Sequence, residues 1–163
     1  MPSNEPFIPP FIERFLAWFN NNRRNEAEIA LDQATAALPH TMDIPNIVDG
    51  QKISFMEVPT AEANFLALET RLLGRQHDTP MKILDIGTFT GRSAMAMAQA
   101  MPHGGKVISC DYTDKYEALA KDHWEKAGVA DRIDFHKGPA ADTLQQLLAN
   151  GEAGTFDLVF VDA

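Results

Sequence analysis

Apolar residues along this chain change their spacing near Pro80. Before it the spacing is helical. After Pro9 and Pro10, Phe11, Phe15 and Phe19 recur every four residues, widened into a stripe by Ile12, Leu16 and Trp18, until Asn20, Asn21 and Asn22 end the run. A second helix is expected over about residues 25–38, with Ile29, Leu31 and several alanines, stopped by Pro39. Residues 40–58 are broken by Pro, Gly and Asp and read as an irregular connection. Thr60 then caps a helix carrying Phe65, Leu66, Leu68, Leu72 and Leu73 that closes near Gly74.

Beyond Pro80, short apolar runs alternate with helical stretches, which predicts βαβ units and a parallel sheet. Strands are expected at 82–86 (KILDI), 106–110 (KVISC), 132–136 (RIDFH) and 156–161 (FDLVFV), separated by helices at about 92–101, 115–127 and 141–149. The last run is apolar enough for the interior of a parallel sheet, where strands flank it on both sides. As an edge it would present unpaired backbone groups. The expectation is therefore that further strands follow Ala163, or that another chain completes the sheet.

Composition narrows the functional classes. The 163 residues and 45% hydrophobic content suit a domain with its own core. A formal net charge of -9 lacks the clustered Lys and Arg that a nucleic-acid partner needs. No apolar stretch is long enough to span a bilayer. A single cysteine, Cys110, rules out an internal disulfide and a Cys-rich zinc site, and points to a reducing, cytoplasmic setting. His40, His77, His103 and His136 are scattered without metal spacing, and Met95, Met97 and Met101 read as core filler on one helix.

The chemistry concentrates where the first strand turns into its helix, Asp85-Ile86-Gly87-Thr88-Phe89-Thr90-Gly91-Arg92-Ser93. Gly87 permits a tight exit from the strand, and Gly91 permits backbone amides to approach a ligand. A phosphate-cradling loop needs four residues between its glycines and then Lys, whereas three stand here and Arg92 follows. A dinucleotide fingerprint needs Gly at the positions of Phe89 and Arg92. A ligand without pyrophosphate fits better, and Asp85 suits a cationic one. On its own this turn also fits a purely structural connection. Three further features lie at the same sheet edge. Asp111, about 20 residues on, is placed to accept from ribose hydroxyls, or else to cap the next helix together with Asp114. Gly138-Pro139-Ala140 leaves room for a flat base, or is an ordinary turn. Asp162 ends the fourth strand, on the side where open α/β sheets bind ligands. Trp124 either flanks a base or packs its helix on the sheet.

Residues 81–163, with KILDIGTFTGRS, KVISCD, HWEKAG and TFDLVFVDA, resemble the cation-dependent O-methyltransferases of the caffeoyl-coenzyme A and catechol type, and Met56-Glu57-Val58 with the helix after it resembles them too. The resemblance implies an α/β, Rossmann-like three-layer αβα methyltransferase fold. Its strands 1–4 are present, and the remaining C-terminal strands are missing from a truncated chain. It divides the chain into a helical or irregular segment, residues 1–59, that offers a dimer contact, and an incomplete S-adenosylmethionine-binding domain, residues 60–163. By residue, it implies Asp85 near the cofactor's amino group, Gly87, Thr88 and Ser93 along its methionine end with Val58, Asp111 at the ribose, Ala140 at the adenine, and Asp162 as one ligand of a divalent metal, Mg²⁺. Family members usually carry Glu at Asp85 and Tyr at Arg92. The implied activity is methyl transfer to a hydroxyl of a small aromatic, catechol or caffeoyl-like, by a homodimer. The alternative is a non-catalytic cofactor-binding or dimerisation fragment. A nicotinamide-dependent oxidoreductase is disfavoured by Phe89 and Arg92.

Overall fold

The computed structural model of the chain describes residues 25–38, 56–76 and 78–163. The expected phenylalanine stripe and most of the 40–58 connection lie outside them. Among the described residues two helices come first, α1 (Glu26–Ala36) and α2 (Thr60–Gly74). The alternating part follows as β1 (Met81–Ile86), α3 (Arg92–Ala100), β2 (Gly105–Asp111), α4 (Glu117–Lys126), a 3₁₀ turn at Ala130–Arg132, β3 (Ile133–Lys137), α5 (Ala140–Ala149) and β4 (Leu158–Val161).

α1 starts where sequence predicts, and the reason is a capping box. The Asn25 side chain accepts from the Glu28 N–H at 2.9 Å, and the Glu28 carboxylate accepts from the Asn25 N–H at 3.2 Å. α2 differs from expectation at its start. Pro59 occupies the cap, no side chain caps the helix, and Thr60 is its first residue, with a hydroxyl turned to another use.

The four strands are parallel, in the order β3-β2-β1-β4. This is the Rossmann-like sheet, with β1 at its centre and crossovers running outward on both sides. Alternation along the strands sorts the side chains between two faces. Met81 and Ile83 of β1, Val107 of β2 and Ile133 of β3 join Leu31 of α1, Leu66 of α2, Met95 and Met97 of α3 and Trp124 of α4 in one core. α3 is buried on nearly every side. Its alternating alanines and methionines let it lie flat between the sheet and α2. Leu84, Ile86, Ile108 and Cys110 face the other way, toward Ala140, Leu144 and Leu147 of α5 and toward Phe156. Phe156 therefore packs beneath the sheet instead of pairing in it, and β4 begins at Leu158, two residues later than its apolar run suggests. On β4, Leu158 and Phe160 touch the main core, whereas Val159 and Val161 on the opposite face are 52% and 65% exposed.

Candidate functional site

The four strands end along one rim. Register puts Asp85 of β1 beside Ser109 of β2 and beside Phe160 of β4, one residue short of that rim. Asp85 is fully buried, on the sheet face that α3 covers. The Ser109 hydroxyl donates to its Oδ2 at 2.6 Å and the Ser93 hydroxyl, from the first turn of α3, donates to the same oxygen at 3.2 Å. Thr88 Oγ1 lies 2.7 Å from Ser109 Oγ. Because the one Ser109 proton goes to Asp85, Thr88 is the donor in that pair. Burial pushes the Asp85 carboxyl up to about 7, against the pull of Ser109 and Ser93, and the charges of Asp162 and Asp111 push the same way. Its other oxygen, Oδ1, is buried without a partner.

Gly87 then carries the chain over the end of the sheet. Its φ is +105°, its N–H bonds to the Cys110 carbonyl at 2.9 Å, and a Cβ there would stand 2.0 Å from the Asp162 carbonyl oxygen. Only glycine passes between the ends of β2 and β4 here. Phe89 follows with φ +45°, a left-handed backbone for a bulky residue. Its N–H is held by Asp111 Oδ2 at 2.8 Å and its ring packs edge-on against Tyr116, with centroids 5.0 Å apart. Asp111 Oδ1 accepts from the Thr113 N–H at 3.0 Å. Asp111 thus stitches the first turn to the second, and each oxygen keeps a lone pair for a further donor. Asp114 does not share that role; it pairs with Lys137 at 2.8 Å.

A cavity of about 680 Å³ opens over this rim. Its walls include Gly87, Thr88 and Ser93 from the first turn, Asp111 from the second and Ala140 from the third. Val58 and Asp162 close it from the irregular segment before α2 and from the end of β4. Seven of the eight residues singled out from sequence therefore line one space. Asp85 does not; it sits behind the wall and reaches the cavity through Ser93. A larger hollow of about 780 Å³ between the helices, bordered by Phe65 and Leu68, lies away from this rim and holds none of those residues.

One expectation from sequence is corrected here, and one alternative is decided. Gly91 is expected to open space for a ligand, but it does not line the cavity. Its added Cβ would strike Trp124 Nε1 at 2.6 Å, and its carbonyl accepts from that same nitrogen at 2.9 Å. Gly91 is small so that α4 can lean its tryptophan on the start of α3. Trp124 is accordingly 1% exposed and belongs to the core, not to a base-binding wall. Cys110 is buried, and burial pushes its thiol up.

A model of the O-methyltransferase family matches residues 38–163. The chain belongs to this family. It is 44% identical over 102 residues to catechol O-methyltransferase domain-containing protein 1 of Mus musculus, covering 63% of this chain and 37% of that protein. It is 38% identical over 110 residues to caffeoyl-CoA O-methyltransferase 1 of Eucalyptus globulus, covering 68% and 43%. Among solved structures, the O-methyltransferase TomG from Streptomyces achromogenes, in complex with SAM, superposes with a TM-score of 0.68 at 29% identity, over 90% of this chain and 58% of that one. The chain thus spans less than half the length of these two curated relatives.

For an O-methyltransferase family member the rim is a sensible ligand site on its own physics. A buried carboxylate oxygen without a donor, one side chain behind the cavity wall, is what a cationic ligand group satisfies. Asp162 is exposed at the end of β4. Among the described residues no three His, Cys, Asp or Glu side chains gather to hold a metal. Asp162 supplies one carboxylate of the several oxygen ligands that Mg²⁺ requires. No helix among the described residues is long and apolar enough to cross a membrane.

Proposed function

We propose that this chain forms the S-adenosylmethionine-binding part of an O-methyltransferase that methylates a hydroxyl of a small aromatic acceptor, catechol or caffeoyl-like. The observation that carries the reading is the 680 Å³ cavity at the carboxyl ends of the strands, lined by the hydroxyl-seeking carboxylate of Asp111 and backed, behind Ser93, by the cation-seeking carboxylate of Asp85. Asp85 serves the cofactor's ammonium, and Asp111 accepts from its ribose hydroxyls. Gly87, Thr88, Ser93 and Val58 border the methionine end, and the small Ala140 leaves space for the adenine. When bound, the cofactor supplies a sulfonium methyl. Held by Asp85, Asp111 and the small Ala140, the cofactor would offer that methyl for in-line transfer to the acceptor oxygen. The protein's contribution is to fix the cofactor so that this in-line geometry is reached.

The reading extends to a divalent metal with Asp162 as one of its ligands, to a homodimer through the phenylalanine stripe of Phe11, Phe15 and Phe19, and to the cytoplasm, on the reduced Cys110. Titration calorimetry with S-adenosylhomocysteine tests its centre. Binding that is lost on replacing Asp111 by Ala is the expected result. Binding of NAD instead would overturn it.

A further inference from the structure

The chain carries a basic residue where helix physics disfavours one. Arg92 opens α3, at the end where the helix dipole repels a positive charge, and it is only 5% exposed. Burial pulls the guanidinium down from its ordinary value, and Glu57 and Glu28 hold it up. A buried cation survives when its partners are fixed around it. Here they come from three separate pieces of chain. Nη1 lies 2.5 Å from Asp32 Oδ1 on α1 and 3.8 Å from Glu57 Oε2. Nη2 donates to Thr60 Oγ1 at 2.8 Å, at the start of α2. Glu57 is gripped a second time from α1, by the fully buried Thr35, whose hydroxyl donates to Oε1 at 3.1 Å.

Glu57 and Val58 line the cavity, and they lie just before α2, outside the strands. The ion pair with Arg92 and the hydrogen bond from Thr35 tie Glu57, and this wall with it, to α3 and α1. Asp32 and Thr35 line no part of the cavity.

We propose that Arg92 is a positioning residue that locks the Glu57–Val58 wall of the cavity to α1, so that Asp32 and Thr35, which never meet the ligand, set its affinity. The proposal rests on the cofactor reading above. It makes α1 part of the binding apparatus and not only a packing element.

The test compares S-adenosylhomocysteine affinity, by calorimetry, in the protein and its variants at a temperature where all are folded. Asp32→Asn and Arg92→Met are each expected to raise Kd about tenfold, and the double variant no further, because both break the same link. Thr35→Val should raise it about threefold on the same ground. Arg92→Lys should restore part of the affinity, since a point charge still meets Asp32 but cannot also span Glu57 and Thr60. Ala120→Gly, in the core on α4, should lower the melting temperature and leave Kd alone, which separates positioning from stability. Hydrogen exchange supplies a readout that needs no ligand: the amides of Glu57 and Val58 should exchange faster in Asp32→Asn, with those of β1 and β2 unchanged. If the unaltered protein binds and both Asp32→Asn and Thr35→Val stay within twofold of it, the lock is refuted. If the unaltered protein does not bind at all, the cofactor reading falls, and unchanged exchange at residues 57 and 58 refutes the lock independently.

Discussion

Replacing Asp85 by Asn keeps the shape of the side chain and removes its titration. In the folded chain the carboxyl is raised from 3.8 to about 7, chiefly because it is buried, with Asp162 and Asp111 adding to the rise. In the unfolded chain it ionises at the ordinary value. Between the two the folded state holds a proton that the unfolded state has released, so stability falls as pH rises through this window. Full ionisation costs about 4 kcal/mol, and about 3 kcal/mol of that falls between pH 5 and pH 8. An amide in place of the carboxyl has no such charge to bury. It can meet the hydroxyls of Ser93 and Ser109, both of which can accept once they no longer donate.

Urea unfolding of both proteins across pH 5 to 8 reads this directly, because the titrating groups that do not interact with Asp85 cancel in the difference. The variant should gain on the parent by about 3 kcal/mol toward alkaline pH, and bind S-adenosylhomocysteine far more weakly. The parent should release close to one proton on binding near pH 6, seen as a dependence of the binding heat on the buffer, because a cation beside Asp85 favours its ionised form. A stability difference that stays flat across that range would refute the reasoning. It would mean that water reaches Asp85 or that the serines hold its charge without cost.

Three other perturbations separate the parts of the rim. Gly87→Ala drives a Cβ to within 2.0 Å of the Asp162 carbonyl at a φ of +105°, and should cost at least about 3 kcal/mol in urea unfolding and abolish cofactor binding. Trp124→Phe removes the indole donor from the Gly91 carbonyl, which keeps the Met95 N–H at 3.0 Å, and should cost about 1 kcal/mol for that bond, with Kd for S-adenosylhomocysteine unchanged in calorimetry. Asp111→Asn keeps one acceptor oxygen for two N–H groups, Phe89 and Thr113, and should cost about 1–3 kcal/mol and raise that Kd on the order of tenfold or more.

The strands were legible because a parallel sheet buried on both faces demands unbroken apolar runs, and KILDI and KVISC supply them. The rim was legible for a related reason. Ligand-facing residues in such sheets come directly after the strands, so strand ends mark Gly87, Asp111, Ala140 and Asp162 without any knowledge of packing. What spacing along the chain does not encode is which neighbour a small residue makes room for. Gly87 and Gly91 flank the same turn and both have positive φ, yet one clears the end of β4 and the other a tryptophan 33 residues away. Helix periodicity places Trp124 on a buried stripe but cannot say that its indole nitrogen ends on the Gly91 carbonyl.

The polar interior left fainter signals that could have been read. Ser109 is a hydroxyl inside an apolar strand, KVISC, and a buried hydroxyl needs a partner of opposite capacity. Asp85 occupies the equivalent place in KILDI, and parallel register between two strands of similar length sets the two side by side. Arg92 gave a signal of a different kind. A cation that opens an alanine-rich, otherwise apolar helix opposes the dipole and cannot turn to solvent, so acids from elsewhere in the chain must come to it. Sequence can state that requirement but cannot choose among the 23 acidic residues available. The fold chooses Asp32 and Glu57, and in doing so it ties a helix that precedes the sheet to the wall of the cavity the sheet creates.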